Sequence, residues 1–191
     1  MFFIVVFLVG LLSGITIDSV SRENLGAKSV CKSIFSGLFI GLILLLTYFY
    51  FEFAWILKVL AAYILINISI VDFKTYKIPL LFNVFLFILG IFSCIDCKEN
   101  VSDKIQALIL VGGAFILLYK FTKGRAIGGG DVKLVVSTSL LLGFERQLWA
   151  IFAGLIIACL CYFIFLKKQN SKKILALGPF LSIGIIFMIF K

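Results

Sequence analysis

Long apolar runs broken by short charged segments organise this chain. The runs cover roughly 1–17, 33–51, 53–71, 78–95, 105–121, 127–143, 147–166 and 174–190. Most approach the ~20 residues a helix needs to cross a bilayer core. They are continuously apolar rather than alternating, which predicts helices and not a barrel: lipid offers backbone groups no partners, and a barrel strand would alternate. The expected fold is therefore all-α, a polytopic transmembrane helical bundle of about eight helices (six to eight), with 1–191 forming a single integral-membrane domain. The sixth run is the weakest, because its unbroken apolar part starts only after Asp131. Tight turns are expected around Glu52 and Glu145, and Ser93 to Asp103 reads as the longest polar connector. Residues 1–17 lack a basic start, so they are expected to be a retained span and not a cleaved signal peptide. No internal repeat or flexible linker is visible.

Composition strengthens this picture. Hydrophobic residues make up 63% of the chain and charged ones 14%, too few to clothe a water-soluble domain of useful size. The net charge of +9 reads as topology-fixing lysines that meet lipid headgroups, and no nucleic-acid partner is expected. Thirteen of the 18 basic residues fall in the segments near 18–32, 72–77, 120–133 and 167–173, all on one side of an eight-span path. By the positive-inside rule that side is cytoplasmic and both termini lie outside. The expected location is a bacterial or archaeal plasma membrane.

Histidine is absent, which removes Ser-His-Asp and Cys-His catalysis and most zinc enzymes. Cys94 and Cys97 form one CxxC with no second pair to complete a four-thiolate site, so no metal is expected. A loop disulfide or two ordinary small residues fit that pair. Cys159 and Cys161 sit in an apolar run as packing residues.

Two carboxylates remain as candidate chemistry. Asp72 lies at the end of the third run, shortly before Ile78-Pro79, where proline marks a helix start. Asp131 follows Gly128-Gly129-Gly130, a segment without side chains that lets another backbone approach. The topology puts both acids at the cytoplasmic face. Acids beside lipid are expensive and mark function by default. If they lie close, repulsion keeps one protonated. Helix dipoles then predict an ionised Asp131 at a helix N-terminus, acting as general base, and a protonated Asp72 at a helix C-terminus. Each acid alone could instead be a solvated headgroup residue or a helix cap.

These residues resemble the type IV prepilin peptidases, a family of membrane aspartic proteases. Gly128-Gly129-Gly130-Asp131 matches the family's GxGD motif and Val132-Lys133-Leu134 its continuation. Asp72 with Ile78-Pro79 matches the second catalytic segment, and Gly178-Pro179-Phe180-Leu181 is similar to the Pro-containing final helix. The resemblance implies an endopeptidase that removes a short basic leader from pilin-like precursors at the cytoplasmic face, with Asp72 and Asp131 catalytic and no cofactor. Gly128, Gly130, Pro79 and Pro179 are candidate site-shaping residues, Pro179 also reading as a kink. Lys133 joins them, although about 200° round a helix from Asp131 its plainer role is snorkelling. Many bacterial members carry a zinc-binding insertion and methylate the new N-terminus. Residues 18–32 leave no room for that insertion, so a peptidase without methyltransferase activity is expected. Asp18 is a third acid near the same face. A transporter or channel and a non-catalytic pilus or secretion assembly factor remain as alternatives, since intramembrane acids also mark ion pathways.

Overall fold

A computed structural model of the 191-residue chain describes residues 53–96, 101–125, 127–166 and 176–191. The runs expected at 1–17 and 33–51, and with them Asp18 and Cys31, lie outside the described residues, as do Cys97 and the basic segment 167–173. Every regular element among the described residues is helical. Residues Ala61–Lys191 form one compact unit, and everything said of the site lies inside it.

Helix α1 is Phe53–Thr75. It runs four residues past its expected end, so Asp72 sits in its last turn and not beyond it. Tyr76 closes it with a left-handed φ of 55° and an N–H that donates to the Asp72 carbonyl at 2.8 Å. Helix α2, Leu80–Asp96, starts directly after Pro79, as the Ile-Pro pair predicts. Helix α3, Val101–Thr122, is continuous but relaxes into a π-helical stretch at Ala107–Gly112. Helix α4 is Gly129–Leu142. Helix α5, Phe144–Cys161, continues as a π turn over Tyr162–Leu166. Helix α6 is Gly178–Phe190. Because α6 begins at Gly178, Pro179 stands in its first turn, where the missing N–H costs nothing, and the expected kink is not there.

Among the described residues, three helices are long and apolar enough to cross a membrane, over Trp55–Thr75, Val101–Thr122 and Phe144–Ile164, and α2 and α6 are shorter apolar helices. Their outer faces carry large apolar side chains such as Ile109, Phe121, Phe152 and Phe163, all exposed. With 63% hydrophobic residues behind them, these faces belong against lipid. The chain is an integral membrane protein of all-α class. Helix α4 has a different place. Its 14 residues span only about 21 Å, and it packs against α2, α3, α5 and α6 at the centre of the bundle. Its polar side chains are settled internally: Ser137 and Thr138 donate to the Leu134 carbonyl and Ser139 to that of Val135, at 2.7–2.9 Å. Buried Gln147 on α5 donates to Thr138 Oγ1 at 3.1 Å.

Tight crossings hold the bundle together. A Cβ on Gly90 of α2 would fall 2.8 Å from the Leu140 Cβ on α4. A Cβ on Gly154 of α5 would fall 2.9 Å from the Phe180 carbonyl oxygen on α6, and one on Gly184 would meet the Ala150 carbonyl. These are small-residue contacts of the kind that let membrane helices approach backbone to backbone.

The end of the bundle opposite the acids corrects one expectation. Ser93 to Asp103 reads as a polar connector, yet helices reach Asp96 on one side and start at Val101 on the other. Lys104 is 2% exposed and donates through Nζ to Ser93 Oγ at 2.8 Å and to the Ser93 carbonyl at 3.0 Å. Asp103 accepts the Phe144 N–H at 3.1 Å and so caps α5 from another helix. Polar residues that look like a loop are there to tie helix ends together.

Candidate active site

Asp72 and Asp131 lie near enough for the charge of Asp72 to act on Asp131. Asp72 comes from the last turn of α1 and is 5% exposed. Its Oδ2 accepts the backbone N–H of Gly178 at 3.1 Å, across 106 positions of chain. Gly178 opens α6, and the next residue, Pro179, has no N–H to offer. A Cβ on Gly178 would lie 2.5 Å from Asp72 Oδ2, so glycine is what lets this amide reach the carboxylate.

Asp131 stands in the first turn of α4, outside the three membrane-crossing helices. Gly128 is the N-cap residue, and its N–H donates back to the Asp131 carboxylate as an acid at the third helical position commonly does. Burial pushes the Asp131 carboxyl up from its ordinary 3.8 to about 6, the charge of Asp72 adds to this, and the Gly128 amide opposes both. The influence of Asp72 places the two acids within reach of each other's field, although 59 positions of chain and two helices separate them.

The glycines expected to shape the site have visible work. A Cβ on Gly130 would come 3.1 Å from Ile78 Cβ, so the start of α4 lies directly against the Ile78-Pro79 segment that leads into α2. One on Gly128 would lie 2.9 Å from Asp131 Oδ2. Pro79 fixes where α2 begins. Lys133 is exposed and lines a groove between α2, α3 and α4. Cys94 is a free thiol, and among the described residues no cluster of acids or cysteines is arranged to hold a metal.

One expectation changes. Helix dipoles predicted an ionised Asp131 and a protonated Asp72, because Asp72 ends its own helix. The Asp72 carboxylate in fact rests on the N-terminus of α6, so both acids face the positive end of a helix. The dipoles no longer choose between them.

The type IV leader peptidase family matches the chain over residues 59–190. This chain belongs to that family. The matched stretch contains both acids, the three glycines before Asp131 and the Gly178 amide. Among proteins of known name, the chain is similar to a prepilin leader peptidase/N-methyltransferase of Vibrio cholerae serotype O1, with 27% identity over 137 residues, 68% of this chain and 53% of that protein. It is similar also to a protein of the same name from Pectobacterium carotovorum subsp. carotovorum, with 28% identity over 142 residues, 70% of this chain and 50% of the relative. The chain thus spans about half the length of these leader peptidases. No solved structure matches it.

Within this chain, Gly178 is the candidate-site residue that sequence reasoning passed over in favour of its neighbour Pro179. The available signal was the Gly-Pro pair itself. At a helix start it leaves a single leading amide free to bind an anion before the proline removes the next one.

Proposed function

We propose that this chain is a membrane aspartic endopeptidase that cuts the short basic leader from pilin-like precursors, with Asp72 and Asp131 as its catalytic pair. The observation that carries this reading is the pairing at one bundle end of two carboxylates, each held by a glycine amide. Family membership favours hydrolysis over the transport and assembly alternatives. The basic segments support a cytoplasmic reading of this end, where a leader followed by an apolar helix would arrive within the surrounding lipid.

The pair starts with one proton between its two acids. Water attacks the scissile carbonyl carbon and gives a proton to the ionised carboxylate, while the protonated carboxyl donates to the carbonyl oxygen. A neutral tetrahedral diol forms and the two acids have exchanged roles. The newly protonated acid then delivers its proton to the leaving nitrogen, the C–N bond breaks, and a diol hydroxyl returns a proton to the other acid. One water is consumed and the pair ends as it began. Because both acids face helix N-termini, the shared proton belongs to the pair and not to a fixed residue. Methyl transfer to the new N-terminus is not part of the proposed activity.

The test is cleavage of a pilin-type precursor by detergent-purified protein, with the cut located by mass spectrometry. Asp72→Asn and Asp131→Asn should each abolish the cut while the protein still inserts into membranes. Cleavage retained by either variant would rule the pair out.

A further inference from the structure

A groove of about 300 Å³ opens between α2, α3 and α4, lined in part by the residues that directly follow Asp131 in the chain. Val132 and Lys133, the two residues after Asp131, line one side, and Asn83, Val84 and Phe87 of α2 line another. The wall is almost wholly apolar, with one exception of interest. Asn83 is 4% exposed, yet neither its Oδ1 nor its Nδ2 has a hydrogen-bond partner among the described residues. An amide buried with both ends idle is unfavourable, and apolar neighbours or lipid tails cannot satisfy it. By contrast the nearby Ser137, on the same groove, is satisfied by the Leu134 carbonyl.

We infer that Asn83 and this groove form a subsite for the apolar segment of the precursor just beyond the scissile bond, the Asn83 amide pairing with one peptide group of that segment. The inference rests on the peptidase reading above and names a contact that reading does not contain. An amide bond inside a helix has its carbonyl occupied by the N–H four residues on, and the turn must open before water can attack. Opening it frees a backbone C=O and adjoining N–H groups in surroundings that offer them nothing. The Asn83 side chain presents an NH2 donor and a C=O acceptor, and either can pair with a peptide group freed in this way. The apolar wall takes the side chains that follow. Continuity with the acids is built in: Ile78 lies against Gly130, and Asn83 follows Ile78 by five residues on the chain.

The test uses the full chain in detergent and synthetic precursor peptides carrying a single N-methylated amide at successive positions after the cut. Asn83→Leu keeps the volume and removes the hydrogen bonds. It should raise KM at least tenfold on the unmodified precursor, and its thermal midpoint should be equal to or above that of the parent protein. At one position, N-methylation should weaken cleavage in the parent and have no further effect in Asn83→Leu. As a readout independent of hydrolysis, a photoreactive benzoylphenylalanine replacing Phe87 in the Asp131→Asn background should crosslink to the first residues of the apolar segment. Crosslinking to lipid alone, an unchanged KM in Asn83→Leu, or a lower thermal midpoint in that variant would each overturn the subsite. If the parent protein cuts no precursor yet the crosslink to the peptide forms, the peptidase reading fails and the subsite stands.

Discussion

Replacing Asp131 by Asn should strengthen the fold while it abolishes cleavage, and the gain should depend on pH in a fixed direction. The fold raises the Asp131 carboxyl from 3.8 to about 6, mainly by burial. A raised carboxyl means that folding favours the protonated form, so the contribution of Asp131 to stability is complete below about pH 3.8 and is lost as pH rises through about 6. At about 1.36 kcal/mol per tenfold change in proton affinity, the full loss is at most about 3 kcal/mol. Asp131 is only partly buried, and solvent screening reduces this to about 1–2 kcal/mol. Asparagine carries no charge, and its side-chain oxygen can still accept the Gly128 N–H. Thermal unfolding in detergent micelles should therefore show Asp131→Asn above the parent by about 2–8 °C at pH 7.5, taking about 2–4 °C per kcal/mol for a chain of this size. The difference should disappear near pH 4. Asp72→Asn removes the second raising influence, so in that background the Asp131 carboxyl, followed by its infrared band, should ionise at lower pH. A gain that is the same at both pH values, or no gain at pH 7.5, would refute the account of Asp131 as a buried acid charged against its surroundings.

Two further outcomes follow from close approaches in the bundle. Gly178→Ala brings a Cβ to 2.5 Å from Asp72 Oδ2 and must displace either the carboxylate or the amide that holds it; kcat for precursor cleavage should fall at least tenfold and its pH profile should shift, with KM little changed, as read by steady-state kinetics over a pH series. Gly143→Ala should destabilise the protein by about 1–3 kcal/mol in thermal unfolding, because Gly143 has a φ of 82° and its new methyl group would run into the Asp103 carboxylate, while the molecules that do fold should keep their kcat since the acids lie at the other end.

The helices were largely legible because apolar run length is a local property. The runs at 53–71, 78–95 and 127–143 became Phe53–Thr75, Leu80–Asp96 and Gly129–Leu142, and the errors sit at the ends. One of them has a physical cause. The segment 101–104 precedes the run at 105–121 and, with Asp103 and Lys104, reads as loop, since a charge beside lipid is costly. Only the fold reveals that each finds a partner, in the Phe144 amide and in Ser93, so that the segment can be helical. The candidate site divides in the same manner. Asp72, Asp131 and the glycine run are recognisable by residue type and spacing. The Gly178 contact joins positions 106 residues apart, and the idle amide of Asn83 is defined by what does not surround it. Neither leaves a mark in the order of residues along the chain.

The crossing of α5 and α6 has a consequence for how the candidate site could be disturbed from a distance. Gly184 and Gly154 let the two backbones touch, with a Cβ on Gly184 reaching 2.9 Å from the Gly154 nitrogen. Gly184 lies six residues from Gly178, about 9 Å along the helix axis. A helix gripped that firmly behaves as a stiff rod, so a wedge driven in at Gly184 tilts the far tip. An extra methyl group there, or a lipid-soluble molecule lodged at the crossing, would withdraw the Gly178 amide from Asp72 without coming near either acid.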